Sequence, residues 1–236
     1  MFYENNNDLL KDDVVHTPKK LSQFIYKQVF RKGYKHIIDV GAYNGILSQP
    51  FSKKTNTTIT AVDVIDDYSA NFNHFIHKDY LETTRDDYIK SDEPKLILMN
   101  PPFSQLAPIK FIRHTLDLFG ADAPIIVIVP NYILDNSKNR GQELNSINIT
   151  RTITLDRAIY KKENDVVIHT SLLFINIQFK KKAKAYEYWS APKIAPNKVK
   201  YRTTYFSADE ELELQKILKA NKMTYSKYIK SLIFDR

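Results

Sequence analysis

Apolar residues along this chain fall into short dense runs separated by polar segments long enough for helices. Lys35–Val40 reads as a brief β-run with an acid, Asp39, at its end, followed by a turn holding Gly41 and Gly45. Ile46, Leu47 and Phe51 then recur at helical spacing. Thr58–Val62 is a second run ending at Asp63, Phe75 and Ile76 precede Asp79, and Lys95–Met99 is a third run. Strands alternating with helix-length segments predict a parallel, doubly wound α/β sheet. Thr152–Leu155 and Ser171–Phe179 are expected to add an antiparallel edge.

The run Lys95–Met99 stops at Asn100-Pro101-Pro102-Phe103. Two prolines cannot continue a strand or begin an ordinary helix, so the main chain is rigid there and its carbonyls are undonated. Ligand chemistry in open α/β sheets sits at such carboxyl ends. Upstream, glycines at Gly41 and Gly45 let main chain approach a ligand. Asp63 stands where dinucleotide folds place an acid that accepts from ribose hydroxyls.

This ordered set resembles the S-adenosylmethionine-dependent amino-methyltransferases, most closely the adenine-N6 DNA methyltransferases whose cofactor half comes first. The resemblance spans roughly residues 14–179 and implies a Rossmann-like methyltransferase fold with an antiparallel edge hairpin. By that resemblance Asp39, Gly41 and Gly45 form the cofactor loop, Asp63 binds ribose and Asp79 contacts the cofactor adenine. Thr17-Pro18 and the helix-like stretch through Val29 resemble the segment covering the methionine end. Pro124–Leu134 is similar to the strand and loop that follow the catalytic motif. Ala158–Val167 followed by Thr170–Ile177 resembles the late hairpin whose aromatic residue packs on the target base, a role that falls to Tyr160. One position departs from the pattern: Tyr43 stands where the family loop often has a middle glycine.

The implied chemistry needs these residue types. An exocyclic adenine amine is a poor nucleophile because its lone pair is delocalised into the ring. The Asn100 side-chain oxygen and the Pro101 carbonyl each accept one amine hydrogen and favour the pyramidal nitrogen that develops during attack. Phe103 supplies one face for the base. In a duplex the amine is out of reach, so the base is flipped out.

Composition narrows the alternatives. With no cysteine, thiolate catalysis, thiolate zinc sites and disulfides are excluded. His74 and His77 lack a third ligand at suitable spacing, so no metal site is expected, and no phosphate-loop motif occurs. The 236 residues, 43% of them hydrophobic, suffice for one substantial core and a small appendage. The longest apolar run is far short of a membrane span, and residues 1–11 are polar, which leads to the expectation of a cytoplasmic enzyme.

Charge is uneven. Residues 1–179 carry 21 Lys and Arg against 21 Asp and Glu, whereas residues 180–236 carry 14 against 6, the whole net excess of +8. A basic tail beside a base-modifying pocket favours phosphate contact and salt-dependent binding. The boundaries expected are a methyltransferase domain over 1–182, a linker over 183–198 and a strand-helix-helix module over 199–236. That module resembles the ribbon-helix-helix DNA-binding domains, most clearly over Met223–Ile233. The resemblance implies that Lys200, Arg202 and Thr204, or alternatively Tyr201, Thr203 and Tyr205, face double-stranded DNA. About 30 residues after the strand are too few for a core of their own, so pairing of two copies through 199–236, or docking on the catalytic domain, is expected.

The expected function is methyl transfer to adenine N6 in DNA. Methylation of RNA at adenine N6 or guanine N2, or of a protein glutamine, stays open because those families share an Asn-Pro-Pro-aromatic motif. Two other classes also remain: a DNA-binding regulator with a degenerate methyltransferase domain, and a stand-alone cofactor-binding interaction protein.

Overall fold

In the computed structural model the described residues are 15–53, 56–65, 72–90, 94–104, 106–134, 143–160, 168–179, 187–190 and Lys219. The chain divides into two units, Met1–Ala191 and Pro192–Arg236. Apart from Lys219, the expected strand-helix-helix module, with Lys200, Arg202 and Thr204, lies outside the described residues.

Eight strands form one sheet: β1 (His36–Val40), β2 (Thr58–Asp63), β3 (His74–His77), β4 (Lys95–Met99), β5 (Ile125–Pro130), β6 (Ile149–Leu155), β7 (Thr170–Ile175) and β8 (Tyr188–Trp189). Their order is β3-β2-β1-β4-β5-β7-β6-β8. The first five are parallel, β7 runs antiparallel to both β5 and β6, and β8 is parallel to β6. This is the Rossmann-like methyltransferase architecture with an antiparallel edge that the sequence predicts. Strand order reverses between β1 and β4, which makes the gap above their carboxyl ends the topological switch point.

Helix α1 (Lys19–Val29) starts behind Pro18, whose carbonyl accepts from the Leu21 and Ser22 N–H groups. Leu21, Ile25 and Val29 recur every fourth residue and are buried. A 3-10 turn over Phe30–Lys32 and Gly33, with φ +77°, end it. A short α2 (Gln49–Ser52) follows the glycine loop, and α3 (Ala107–Phe119) follows the tetrapeptide.

Alternation along the central strands divides the core between the two sheet faces. Ile38, Val40, Ile97, Met99 and Val127 pack with Ile109 and Ile112 of α3. Ile37, Leu96, Leu98 and Ile126 pack with Leu21 and Ile25 of α1 and with Phe51 of α2. Asp39 shares the parity of Ile37, so its carboxyl group enters the protein on the α1 face.

The expected linker boundary needs correction. Residues 187–190 belong to the sheet edge: Tyr188 and Trp189 form β8, Trp189 stacks on Phe24 at 4.6 Å, and Glu187 pairs with Arg151 at 2.5 Å. Aromatic burial and a half-buried ion pair hold this segment where composition suggests a connector.

Candidate active site

Two main-chain turns meet at the switch point. Gly41 leaves β1 with φ +69°, and a Cβ placed on it would lie 2.7 Å from the Asn100 carbonyl oxygen and 3.3 Å from the Asn100 carbonyl carbon. Asn100 in turn donates its N–H to the Val40 carbonyl at 3.1 Å, and Gly41 donates to Val62 at 3.0 Å. The glycine loop and the tetrapeptide are therefore in direct main-chain contact, though about sixty residues apart in sequence.

Tyr43 takes φ +43°, a conformation that costs a bulky residue on the order of 1–3 kcal/mol. Its N–H donates to Asp63 Oδ2 at 2.8 Å, and its ring lies 4.8 Å from that of His16. The missing middle glycine is thus replaced by a tyrosine in the left-handed region, held by Asp63 and overlaid by the segment before α1. Gly45 closes the loop by donating to Ala42 at 2.8 Å, and its carbonyl receives Gln49 at the start of α2.

The three acids occupy different environments. Asp39 is fully buried; Oδ2 accepts from the Ser48 N–H at 3.2 Å, while Oδ1 has no hydrogen-bond partner. Burial raises its carboxyl to about 7, opposed by the Ser48 hydrogen bonds and reinforced by the charge of Asp63. The folded protein therefore holds a proton there that the unfolded chain releases near pH 4. Stability is expected to fall as pH rises from about 4 to about 7 and to level off above. Asp39→Asn should flatten that slope in urea titrations and raise stability at pH 8, on the order of a few kcal/mol.

Asp63 is partly buried, which raises its carboxyl, but both oxygens accept main-chain N–H groups: Oδ1 from Ile65 and Oδ2 from Tyr43, each at 2.8 Å. Asp79 turns Oδ1 onto the Leu81 N–H at 3.0 Å and caps the 3-10 turn Tyr80–Glu82. The three acids stand at or just beyond the carboxyl ends of β1, β2 and β3, and Asp63 reaches the glycine loop through the Tyr43 N–H.

The tetrapeptide is held from outside. Asn100 Nδ2 donates to the Val15 carbonyl at 2.7 Å and to Thr17 Oγ1 at 3.1 Å, while its Oδ1 is buried without a partner. A carbonyl only accepts, so the amide nitrogen must face Val15 and the oxygen must face away. The Val15–Pro18 segment accordingly touches both the tetrapeptide and, through His16, the glycine loop. Pro101 is buried, Pro102 is exposed and Phe103 is partly buried.

Tyr160 differs from its expected role. Its ring is completely buried in the α1-side core, and its hydroxyl accepts from Thr170 Oγ1 at 3.3 Å. Burial pushes its phenol well above the ordinary tyrosine range. A ring enclosed on both faces offers no surface for a base, so the structure places Tyr160 as a packing residue. Tyr132, which follows β5 and was not singled out by sequence reasoning, instead donates its hydroxyl to the Phe103 carbonyl and is 38% exposed. Its one signal is its place in the loop at the next carboxyl end.

A cavity of about 410 Å³ lies at the opposite edge, where the strands begin, lined by Lys35, His36, Thr58 and Asn73 among others. It contains none of the residues that meet at the switch point. No helix among the described residues is long and apolar enough to cross a membrane.

No protein-family model matches the chain, and no curated protein does. Solved structures do share the fold. A chain assigned as a modification subunit of a type I restriction enzyme from Vibrio vulnificus YJ016 superposes with a TM-score of 0.54 at 14% identity, over 92% of this chain and 55% of that one. A chain assigned as a class I S-adenosylmethionine-dependent methyltransferase from Listeria monocytogenes gives 0.53 at 12% identity, covering 85% and 69%. The type I restriction-modification methyltransferase subunit from Streptococcus thermophilus gives 0.53 at 14% identity, covering 74% and 46%. This chain thus spans about half the length of the two restriction-system subunits.

Proposed function

We propose that the chain methylates an exocyclic amine, the N6 of an adenine flipped out of DNA, with S-adenosylmethionine as donor. One observation carries the reading: Asn100 presents a buried, unpartnered side-chain oxygen whose orientation is fixed by Val15 and Thr17. Leaving such an acceptor unpaired costs roughly 1–3 kcal/mol, so an incoming N–H donor recovers what folding gave up.

The residues present fit the cofactor. Asp39 Oδ1 is a second buried oxygen without a partner, suited to the ammonium of an amino acid moiety. The absent Cβ at Gly41 keeps the two loops close, and Thr17, which accepts from Asn100, retains its own hydroxyl proton to donate to a carboxylate. Asp63 and Asp79 are the proposed partners of the ribose and adenine groups. When bound, S-adenosylmethionine supplies a methyl group on a sulfonium, an electrophile that needs no further activation.

Catalysis by the protein's own groups is then mainly preorganisation. Asn100 Oδ1 and the Pro101 carbonyl accept the two amine hydrogens, which localises the nitrogen lone pair for attack; once the N–C bond has formed, one of these protons leaves to solvent. Each acceptor is worth roughly 3 kcal/mol, on the scale of one oxyanion-hole donor. Pro102 stiffens the turn, and Phe103 offers the face on which the base rests. The basic segment beyond residue 180, with Lys200, Arg202 and Thr204, is proposed to hold the phosphate backbone. A homodimer through 199–236 is part of the same proposal. The fold shared with restriction-system modification subunits fits DNA as the polymer.

Incubation with methyl-labelled S-adenosylmethionine and unmethylated duplex DNA, transfer RNA, ribosomal RNA and a glutamine-bearing release factor tests this. Nucleoside analysis should find label in N6-methyladenine of DNA. Label confined to RNA or protein would replace the substrate while leaving Asn100 as the amine acceptor.

A further inference from the structure

The Asn100–Phe103 turn has an unusual problem of support. Pro101 and Pro102 have no N–H, so this stretch of main chain cannot fasten itself through its own donors. At its start it is tied on three sides: the Asn100 N–H reaches Val40, the Asn100 side chain reaches Val15 and Thr17, and Gly41 packs on its carbonyl. At its other end the Phe103 carbonyl receives a hydrogen bond from the phenol of Tyr132.

We infer that Tyr132 is a positioning residue, a strut from the β5 loop that fixes the far end of the Asn100–Phe103 turn and so aims its acceptors and the Phe103 ring. The strut has a firm base. Asn131 donates its N–H to the His169 carbonyl at 2.8 Å and accepts from Ser171 Oγ at 2.9 Å through Oδ1. On the other side Ile133 is fully buried in the α3-side core. With both neighbours held, only the two side-chain torsions of Tyr132 remain to be fixed when its hydroxyl binds, so it can hold a geometry rather than merely follow one. β5 and β7 thereby become part of the catalytic support, although neither supplies a group to the substrate. Nothing in the motif pattern assigns this role, because it depends on one hydroxyl reaching a main-chain carbonyl 29 residues earlier.

The inference rests on the reading of Asn100 as the amine acceptor, and its test separates the two. Tyr132→Phe removes the hydroxyl and keeps the ring. Hydrogen–deuterium exchange of the 100–106 peptide should then speed up several-fold in the free protein, with melting temperature nearly unchanged. On the labelled DNA, kcat should fall about tenfold, within the roughly hundredfold that a 1 Å misplacement can cost. The dissociation constant for S-adenosylmethionine should stay within about twofold, since the cofactor loop is untouched. Equal exchange in the two proteins overturns the strut, and faster exchange with unchanged kcat overturns its positioning role. Should Tyr132→Phe fold poorly, Ser171→Ala removes the hydroxyl under Asn131 and should produce the same two changes to a smaller degree; the absence of both changes overturns the inference. If the wild-type protein transfers no methyl to DNA, the proposed substrate falls, while the exchange comparison still decides the strut.

Discussion

Asn100→Ala is expected to reduce methyl transfer by a factor of about 10³ or more while S-adenosylmethionine binds nearly as before. Truncation removes the side-chain acceptor and leaves the glycine loop and the three acids in place, at a cost of about 1–3 kcal/mol of stability because the Val15 carbonyl loses its donor. Loss of one preorganised donor or acceptor at a charge-developing centre costs roughly 10²–10³ in kcat, and the proposed role of this group is also to position the amine. Asn100→Asp is the sharper test. A carboxylate cannot donate to the Val15 carbonyl, so one of its oxygens would face another acceptor where Nδ2 now sits 2.7 Å away. That variant should lose activity and also about 1–3 kcal/mol of stability, because the Val15 carbonyl is left unpaired beside a partly buried charge. Calorimetric cofactor titration, single-turnover kinetics and urea unfolding separate these effects. If Asn100→Ala instead abolishes cofactor binding at unchanged stability, Asn100 belongs to the cofactor site and not to the amine.

The fold was legible because the same features that define strands also mark their ends. The central runs carry an acid at or near their ends, Asp39 and Asp63, or stop at the Asn-Pro-Pro turn, and these residues line up on one edge once the strands are parallel. The antiparallel edge was expected from two late runs, Thr152–Leu155 and Ser171–Phe179. What periodicity could not give was direction. Tyr160 is an aromatic residue at the position expected for base stacking, yet its ring turns inward and fills the α1-side core, a choice that depends on the space beside Thr170 and not on the residue's neighbours in sequence. Tyr43 was visible as a departure from glycine, but its left-handed φ was not, since that region is ordinarily read from glycine or asparagine. Its stabilisation comes from Asp63, twenty residues away, and so from tertiary structure. β8 was read as connector because two residues of strand carry almost no pattern; the Arg151–Glu187 pair and the Phe24–Trp189 stack that hold it are non-local.

Gly41→Ala should be among the most damaging single substitutions in the domain, and the reason can be isolated. Two costs coincide there. At φ +69° an added Cβ meets its own main chain, which costs roughly 1–2 kcal/mol for an L-residue. The same Cβ would also stand 2.7 Å from the Asn100 carbonyl oxygen, and that neighbour is main chain held by the β1–β4 pairing, so it cannot swing aside. Gly33 provides the control: its φ is +77°, but nothing lies within 4 Å of its added Cβ. Gly33→Ala should therefore cost about 1 kcal/mol by conformation alone and leave catalysis unchanged. Gly41→Ala should exceed it by a further few kcal/mol in urea unfolding. It should also push the tetrapeptide off its alignment, so that kcat drops by about 10² even under conditions where the protein is fully folded. Equal destabilisation by the two substitutions would mean that the glycine loop and the Asn100 turn do not bear on each other. The physical coupling between the glycine loop and the proposed amine site would then be lost, and with it the account of why these two motifs occur together.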